Sequence, residues 1–315
     1  MLSIDSFEIK VSLTFASHLI NAFLYKSFSK YLFNLINTSL SLIKIVFKLK
    51  ARPHFPLPES ETLIVLGNGP SLRAPIALKS SYFKGKTLLC VNSFSISTEY
   101  TVLKPLYYVM LDPGLWRADN AHVADTIDAI ASKTTWPLHI LVPHEAKKSP
   151  RILSLLQNKN VHVHFFNYIV YKGFERIGFR LYKKNIAMPQ SQNVLVASLY
   201  FAINLGYKNI ELFGADHNWH HDLIVNDKNV VCLKHIHFYD SETTVTYKPF
   251  YKMMHVQETF RMDEAFFAFA KVFAGYHQIK KYSLYRNAHI VNMTQGSFVD
   301  AFDRGNPTHQ KQSLK

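Results

Sequence analysis

Short apolar runs of strand length recur along the chain, and they constrain its fold more than any other feature of the sequence. Segments with the spacing of helices separate them. The runs cover residues 63–66, 87–91, 107–111, 138–142, 161–165, 210–213 and 289–292. Strands that alternate with helices form parallel sheets whose two faces are both covered. The sequence therefore predicts an α/β fold with a doubly wound, mostly parallel, Rossmann-like sheet.

Two helices of this domain have clear limits in the sequence. Residues 194–205 are predicted to form the first, and Gly206 follows as the glycine that ends many helices in a left-handed conformation. Residues 258–274 are predicted to form the second, which leads to the last strand. We predict a single domain over residues 61–303, followed by a polar tail at 304–315.

The first 52 residues differ from the rest because they carry seven basic groups and only two acidic groups. Some of their apolar residues fall three or four positions apart, as on one face of a helix. These are Leu32, Ile36, Leu40, Ile43 and Phe47. Residues 1–52 are predicted to form one or two amphipathic basic helices. Such helices lie on an anionic membrane surface, pack on the main domain or a second subunit, or are removed as a leader. Pro53, Pro56 and Pro58 then make residues 53–60 a semi-rigid spacer.

Composition limits the class of protein. Lys and Arg number 36 against 22 Asp and Glu, and the net charge of +14 indicates an anionic partner. Basic and aromatic residues mix over 165–184, but no RNA-binding motif accompanies them, so nucleic acid is not expected as a partner. Cys90 and Cys232 are far apart in sequence, which favours a reducing compartment over a disulfide scaffold or thiolate zinc site. The uncharged runs near the N-terminus are shorter than the roughly 20 residues of a membrane span.

Small and polar residues follow four of the predicted strands. They are residues 67–71 after the first strand, Asn92 after the second, Asp112 after the third and residues 214–218 after the sixth. In doubly wound sheets, ligands bind beyond the carboxyl ends of the strands. We therefore predict a binding site where these four segments meet.

Residues 67–71 read Gly-Asn-Gly-Pro-Ser and connect a strand to a helix. Glycine lets the backbone approach a ligand closely, and the free N–H groups at a helix start attract phosphate. However, no Walker Gly-Lys-Ser/Thr follows, and Leu72 stands where a dinucleotide fingerprint has its third glycine. The residues alone leave both a nucleotide contact and an ordinary tight turn open.

The motif over residues 67–72, placed after the first strand, resembles the opening of bacterial family 42 sialyltransferases. It is also similar to a related family of flagellin-modifying and uncharacterised glycosyltransferases. A second segment, residues 202–216, resembles their helix, Gly-Tyr-Lys turn and strand ending in Gly-x-Asp. The resemblance covers roughly residues 61–303 and leaves residues 1–58 outside it.

The resemblance implies an inverting transfer of sugar from a CMP-activated donor to a hydroxyl, without a metal or other cofactor. The sequence agrees in lacking the Asp-x-Asp motif that binds diphosphate and metal in other glycosyltransferases. The residues that it implies for binding are Gly67, Asn68, Gly69, Ser71 and Asn92 for the nucleotide, Asp112 and Asn193 for the sugar, and Gly214, Asp216 and Asn218 for the phosphate end. The donor sugar that the resemblance implies is sialic acid or a related nonulosonate or Kdo-type sugar. A family tyrosine is Asn218 here and a family arginine is Ser191, and these two departures leave a different nucleotide sugar open as the donor.

A histidine is expected to take the proton of the acceptor, because its pKa lies near neutral pH. His255 occupies the position of the family's base, ahead of the predicted helix at 258–274, and His235 and His237 are the other candidates. Residues 217–257 show little periodicity and are predicted to form a lid, with an ordered hairpin on a neighbouring subunit as the alternative. A divalent metal held by histidines of this segment is a further interpretation. Tyr239, Tyr247 and Tyr251 are candidates to replace the missing phosphate-binding tyrosine.

The sequence thus predicts a bacterial glycosyltransferase that acts on a cell-surface glycan or glycolipid, such as lipopolysaccharide or capsule. It is expected in the cytoplasm, peripheral on the inner face of the cytoplasmic membrane through residues 1–52, and a homo-oligomer is compatible with the sequence. An ATP-dependent pyrophosphokinase-like enzyme and a non-catalytic protein that binds glycan or membrane are the alternatives.

Overall fold

The computed structural model describes residues 27–50, 58, 60–78, 80–117, 121–234, 236–240, 246–253 and 256–305. Most of the predicted spacer at 53–60 and of the predicted tail at 304–315 lies outside these residues. Residues 1–26, His235 and His255 also lie outside them.

Eight strands form the central sheet, and all of its pairings are parallel. In chain order the strands of the described residues are β1 (Thr62–Leu66), β2 (Thr87–Val91), β3 (Tyr107–Val109), β4 (Leu138–Pro143), β5 (Val161–Phe166), β6 (Asn209–Phe213), β7 (Leu223–Val225), β8 (Val231–Leu233), β9 (Lys248–Pro249), β10 (Tyr251–Met253), β11 (Val256–Thr259), β12 (His289–Asn292) and β13 (Asp303–Arg304). The order across the sheet is β13-β12-β6-β1-β2-β3-β4-β5. The predicted α/β fold with a parallel sheet is confirmed.

Helices cover both faces of the sheet. Over the described residues they are α1 (27–48), α2 (Arg73–Leu78), α3 (Ser80–Phe83), α4 (Glu99–Leu103), α5 (Gly114–Arg117), α6 (Ala121–Lys133), α7 (Pro150–Ser154), α8 (Glu175–Lys183), α9 (Val194–Leu205) and α10 (Met262–Tyr285). Alternate residues of β1 enter separate cores: Leu63 and Val65 pack with α8, α9 and α10, while Ile64 and Leu66 pack with α3, α4, α6 and α7. A strand buried on both faces reads as a continuous apolar run, which explains why the sequence pattern is clear.

The chain reverses direction across the sheet at β1. From β1 it proceeds through β2, β3, β4 and β5 on one side, and then returns to place β6 on the other side of β1. The crevice between the carboxyl ends of β1 and β6 is therefore the topological switch point, where ligands bind in open parallel sheets.

The region between β6 and the last helix differs from the sequence prediction. The helix predicted at 258–274 is wrong in its limits, because α10 runs from Met262 to Tyr285 and β11 precedes it. The sequence predicts an irregular segment at 217–257, but the described part of it contains two small sheets: β7-β8-β9 and the antiparallel pair β10-β11. β7 and β8 are apolar but only three residues long, and β9, β10 and β11 mix apolar with polar residues over two to four positions. Strands this short give no period that the sequence reveals.

No helix among the described residues is long and apolar enough to cross a membrane. Residues 27–48 form the helix that the apolar spacing predicts. The way in which that helix contacts the domain is described below.

Candidate functional site

A cavity of about 540 Å³ lies at the carboxyl ends of β1, β2, β3 and β6. Its volume falls in the range of small-molecule sites. Eight of the ten predicted binding residues line it, namely Asn68, Gly69, Asn92, Asp112, Asn193, Gly214, Asp216 and Asn218. Gly67 and Ser71 do not line it, and both instead hold the cavity wall together.

The loops after β1 and β6 touch through their backbones. The N–H of Gly67 donates to the carbonyl of Phe213 at 2.8 Å, and the N–H of Gly69 donates to that of Gly214 at 3.0 Å. Gly214 has φ of +66°, and a Cβ added to it would lie 2.5 Å from the carbonyl oxygen of Gly67. Only glycine allows this approach, since both the backbone angle and the space exclude a side chain.

Asp216 ties the same two loops together. Its Oδ1 accepts from the N–H of Ser71 at 3.0 Å, and its Oδ2 accepts from the Ser71 hydroxyl at 2.7 Å. Burial raises the pKa of Asp216, and the two hydrogen bonds from Ser71 oppose that shift. The carboxylate therefore fixes the turn at residues 67–71, and both of its oxygens already accept hydrogen bonds.

Two non-glycine residues of the cavity region have left-handed backbones, which side chains rarely adopt. Asn92, after β2, has φ of +46°, and His217, after β6, has φ of +57°. The hydroxyl of Tyr108 donates to the carbonyl of Asn92, and the Asn92 side chain accepts from the N–H of Leu111 at 3.4 Å. Strained residues that the surroundings hold in place cluster at functional sites.

His217 is a buried structural histidine rather than a base. Its Nε2 accepts from the hydroxyl of Tyr276 at 2.6 Å and lies 2.9 Å from Nδ2 of Asn193. Its ring stacks on Trp219 with 4.3 Å between centroids. Burial lowers the pKa of His217 to about 3, so the ring is neutral at physiological pH. Asn193 also caps α9 by accepting from the N–H of Val196, which fixes the position of this network.

The buried neutral ring makes stability depend on pH. The folded-state pKa of His217 lies below the unfolded value of about 6.5, so its contribution is complete above pH 6.5 and is lost as pH falls toward about 3. We expect His217→Gln, which keeps an acceptor for Tyr276 but cannot titrate, to lower the free energy of unfolding at pH 7. The deficit should shrink by about 2 kcal/mol between pH 7 and pH 5. Urea denaturation at the two pH values measures this, and a deficit that does not change with pH would contradict it.

His237 lines the cavity and pairs with a carboxylate. Its Nδ1 lies 3.0 Å from Oδ2 of Asp240, which also accepts from the His237 backbone N–H at 2.8 Å. Because Asp240 accepts hydrogen bonds, Nδ1 carries the proton and the lone pair lies on Nε2. Burial lowers the pKa of His237 and Asp240 opposes that shift, so the ring is neutral near pH 7.

The turn that carries His237 is fixed to the loop after β1. The N–H of Phe238 donates to the carbonyl of Asn68 at 3.0 Å. Arg73, at the start of α2, donates from Nε to the carbonyl of Phe238 and from Nη2 to that of Asp240, at 2.9 and 2.7 Å. The imidazole is therefore held against residues 67–71. The sequence does not predict these hydrogen bonds, because Arg73 and Asp240 are far apart in the chain.

Two buried polar atoms of the cavity wall have no hydrogen-bond partner. They are Oδ1 of Asn68, whose Nδ2 donates to the carbonyl of Val91, and Nε1 of Trp116. Trp116 is 8% exposed and lies on α5. A buried donor or acceptor left unpaired lowers the free energy of unfolding by about 1–3 kcal/mol. Such a group is therefore commonly the partner of a water molecule or a ligand. No local pattern in the sequence singles out Trp116, because a tryptophan near a strand end is most often core.

Carboxylates and cations share the cavity wall. They are Asp112, Glu145, Asp216, Asp222, Lys234 and Lys252. Asp112 accepts from the N–H of Gly114 at 2.8 Å, and Glu145 pairs with Arg117 at 2.8 Å. Within the described part of the chain, no three His, Cys, Asp or Glu side chains gather closely enough to hold a metal ion.

The other candidates from the sequence are placed differently. His235 and His255, predicted as bases, lie outside the described residues, so their positions remain predictions. Tyr251 lines the cavity, whereas the hydroxyl of Tyr239 is buried without a partner and Tyr247 is exposed.

No protein-family model matches the chain, and no curated protein matches it significantly. The fold has some likeness to a solved structure, the MAf glycosyltransferase from Magnetospirillum magneticum AMB-1. The two are 13% identical with a TM-score of 0.48, and the match covers 84% of this chain and 35% of that one. The chain thus corresponds to about a third of that protein. A likeness this weak carries no argument about function, which rests below on the site itself.

Proposed function

We propose that the protein is an inverting, metal-independent glycosyltransferase. It moves a sugar of the sialic acid, nonulosonate or Kdo type from a CMP-linked donor to a hydroxyl of a glycan or glycolipid. The observation that carries this proposal is the neutral, carboxylate-oriented imidazole of His237 in the wall of a cavity that is also lined by Asn68 and Trp116, two residues that each have a buried polar atom without a partner. A base and unsatisfied polar groups in one cavity are what a bound polar substrate needs.

In this mechanism the donor lies over residues 67–71, at the switch point. Oδ1 of Asn68 accepts a hydrogen bond from the donor, and Nε1 of Trp116 donates one to it. Nε2 of His237 removes the proton of the acceptor hydroxyl while the acceptor oxygen attacks the anomeric carbon from the face opposite the phosphate. The bond from that carbon to the phosphate oxygen breaks, and CMP leaves. Asp240 stabilises the imidazolium that results.

Lys234 supports the departure of CMP in this proposal, since it is a cation in the cavity wall. Arg117 and Lys252 each lie in ion pairs, with Glu145 and with Glu258 and Glu264 respectively. The growing negative charge of the leaving phosphate is stabilised by a nearby positive charge. Asn218 and Tyr251 complete that end of the site.

The first test is the thermal stability of the purified chain with CMP, CDP, UDP, GDP and ATP, each with Mg²⁺ and with EDTA. A ligand at a hundred times its Kd stabilises by about 2.7 kcal/mol. We expect a CMP-selective shift that EDTA does not abolish. A shift with ATP and Mg²⁺ alone would instead support the pyrophosphokinase-like alternative. No shift with any nucleotide would favour a protein without catalytic activity.

Trp116→Phe tests whether the unpaired indole serves the ligand. We expect the Kd for CMP to rise about tenfold, the value of one lost hydrogen bond, while the free energy of unfolding stays the same or rises. The matched control is Trp136→Phe, because Nε1 of Trp136 donates to the carbonyl of Pro105 at 2.8 Å. That variant should lose about 1 kcal/mol of stability and keep its affinity for CMP. Equal behaviour of the two variants in titration and urea denaturation would contradict the assignment.

The proposed acceptor is a surface glycan or its lipid-linked precursor, assembled where CMP-sugars are available, at the inner face of the cytoplasmic membrane. Residues 1–52 are the proposed point of contact with that anionic membrane.

A further inference from the structure

Helix α1 contacts the domain through a narrow polar edge. Thr38 and Ser41 are buried there, at 6% and 3% exposure. Oγ1 of Thr38 accepts from the N–H of Phe174 at 3.0 Å and lies 3.0 Å from the hydroxyl of Tyr171. Oγ of Ser41 donates to the carbonyl of Lys172 and accepts from its N–H, both at 2.9 Å. These bonds hold the helix on the loop between β5 and α8.

The fit between α1 and this loop is close. Gly173 has φ of +127°, and a Cβ added to it would lie 2.1 Å from Oγ1 of Thr38. Ile45 on the same edge is buried against the domain core. At the end of the helix, the N–H of Lys50 donates to Oδ1 of Asn167 at 2.8 Å. The helix is therefore docked along its length rather than tethered at one point.

The opposite face of α1 is apolar and exposed. Ile36 and Ile45 lie nine positions apart, which places them on opposite sides of a helix with 3.6 residues per turn. The large side chains on the outward side and its borders are Phe28, Leu32, Leu35, Ile36, Leu40, Ile43, Val46 and Phe47, each between 44% and 78% exposed. Helices of soluble proteins turn such a face toward the core. A contiguous apolar surface of this kind marks a site of interaction.

The charge around this face is positive. Residues 27–50 contain Lys30, Lys44, Lys48 and Lys50 and no acidic residue. Lys172 and Arg176 are exposed on the adjoining loop and helix. Glu175, the acidic residue between them in the sequence, is engaged by Lys281 at 2.7 Å. An apolar stripe bordered by lysines complements a bilayer of anionic lipid, whose acyl chains accept the stripe and whose headgroups accept the lysines.

We infer that the outward face of α1 seats this protein on an anionic lipid bilayer while its polar edge stays docked on the domain. The helix then lies in the plane of the interface, because Thr38 and Ser41 keep one edge against protein. Lys50 binds Asn167, and the next residue, Tyr168, lines the cavity. The docked helix thus ends beside the candidate site. Resting on the proposed function, this placement makes the acceptor a lipid-linked glycan that reaches the site from the bilayer.

Flotation of the 315-residue chain with vesicles tests the inference. We expect binding to phosphatidylcholine vesicles that contain about 30% phosphatidylglycerol, weak binding to pure phosphatidylcholine, and release of part of the bound protein at about 0.5 M NaCl. Ile36→Ser combined with Ile43→Ser should lower binding at least about tenfold. Lys44→Gln combined with Lys48→Gln should lower it about tenfold on anionic vesicles alone.

The matched control is Val102→Ser combined with Leu284→Ser, two exposed apolar residues on α4 and α10. This variant should bind anionic vesicles as the wild type does. Equal binding of the Ile36 and Ile43 variant, or no binding of the wild type, would overturn the inference. So would a lipid-free dimer that the Ile36 and Ile43 variant converts to a monomer, because a second copy would then cover the face. The assay contains neither donor nor acceptor, so the nucleotide test separately decides the proposed function.

Discussion

Replacement of His237 by alanine is expected to lower sugar transfer by about 10²- to 10⁴-fold, the usual contribution of a general base. Nε2 of His237 is the proton acceptor in the proposed reaction, and no other side chain of the described cavity wall pairs an imidazole with a carboxylate. The CMP-dependent rise in melting temperature should remain, since the variant keeps the donor-binding residues. Initial rates with CMP-sugar and a hydroxyl acceptor measure the loss.

Asp240→Asn and His221→Ala test whether the loss of transfer activity comes from the imidazole of His237 and its carboxylate partner. In Asp240→Asn, the new side-chain amide would donate to Nδ1 and so place the proton on Nε2, which should lower the rate while the fold is kept. The charge of Asp240 raises the pKa of His237, so its removal should lower that pKa. The remaining activity should then fall off at a lower pH than in the wild type. His221 is exposed and does not line the cavity, so His221→Ala should be fully active. Full activity of His237→Ala would contradict the assignment of His237 as the base and leave His235 and His255 as the candidates.

Gly214→Ala is expected to lower the free energy of unfolding by about 3 kcal/mol or more and to abolish nucleotide binding. The new Cβ would lie 2.5 Å from the carbonyl oxygen of Gly67 and would need a left-handed backbone. Since the loops after β1 and β6 form the floor of the cavity, their separation should remove the site with the stability. Urea denaturation and titration with CMP measure the two effects.

Gly296→Ala is the matched control for the free-energy cost of a left-handed backbone at alanine. Gly296 has φ of +69°, close to that of Gly214, but no atom lies within 4 Å of its added Cβ. It should therefore cost only about 1 kcal/mol, the penalty of a left-handed alanine. The difference between the two variants measures the close approach of the loops. Equal losses would show that the approach contributes nothing.

The sheet is predictable because its strands are buried on both faces and therefore read as apolar runs. For example, the limits of β2 and β12 match the prediction. Helix α9 is also predicted with its limits, since Gly206 ends it in a left-handed conformation. The start of α10 is not, because β11 precedes it without an alternating pattern.

The candidate site is only partly predictable, for a different physical reason. Residues after strands, such as Asn92, are recognisable because they are small or polar. Arg73 and Asp240 act through contacts between distant parts of the chain, which no local spacing records. The same holds for α1: its apolar spacing predicts a helix, but that Thr38 and Ser41 form its contact with the domain follows only from the fold.

The position of β1 in the sheet also governs when the fold can be completed. β1 leaves the ribosome well before its partner β6: Thr62 pairs with Asn209, and β2 to β5 with the helices between them are synthesised in the interval. Until β6 arrives, β1 presents an unpaired hydrogen-bonding edge at what becomes the centre of the sheet. Pairings between distant strands form slowly. From the synthesis of β1 until that of β6, the nascent chain therefore carries an edge open to wrong partners at the position that becomes the centre of the sheet.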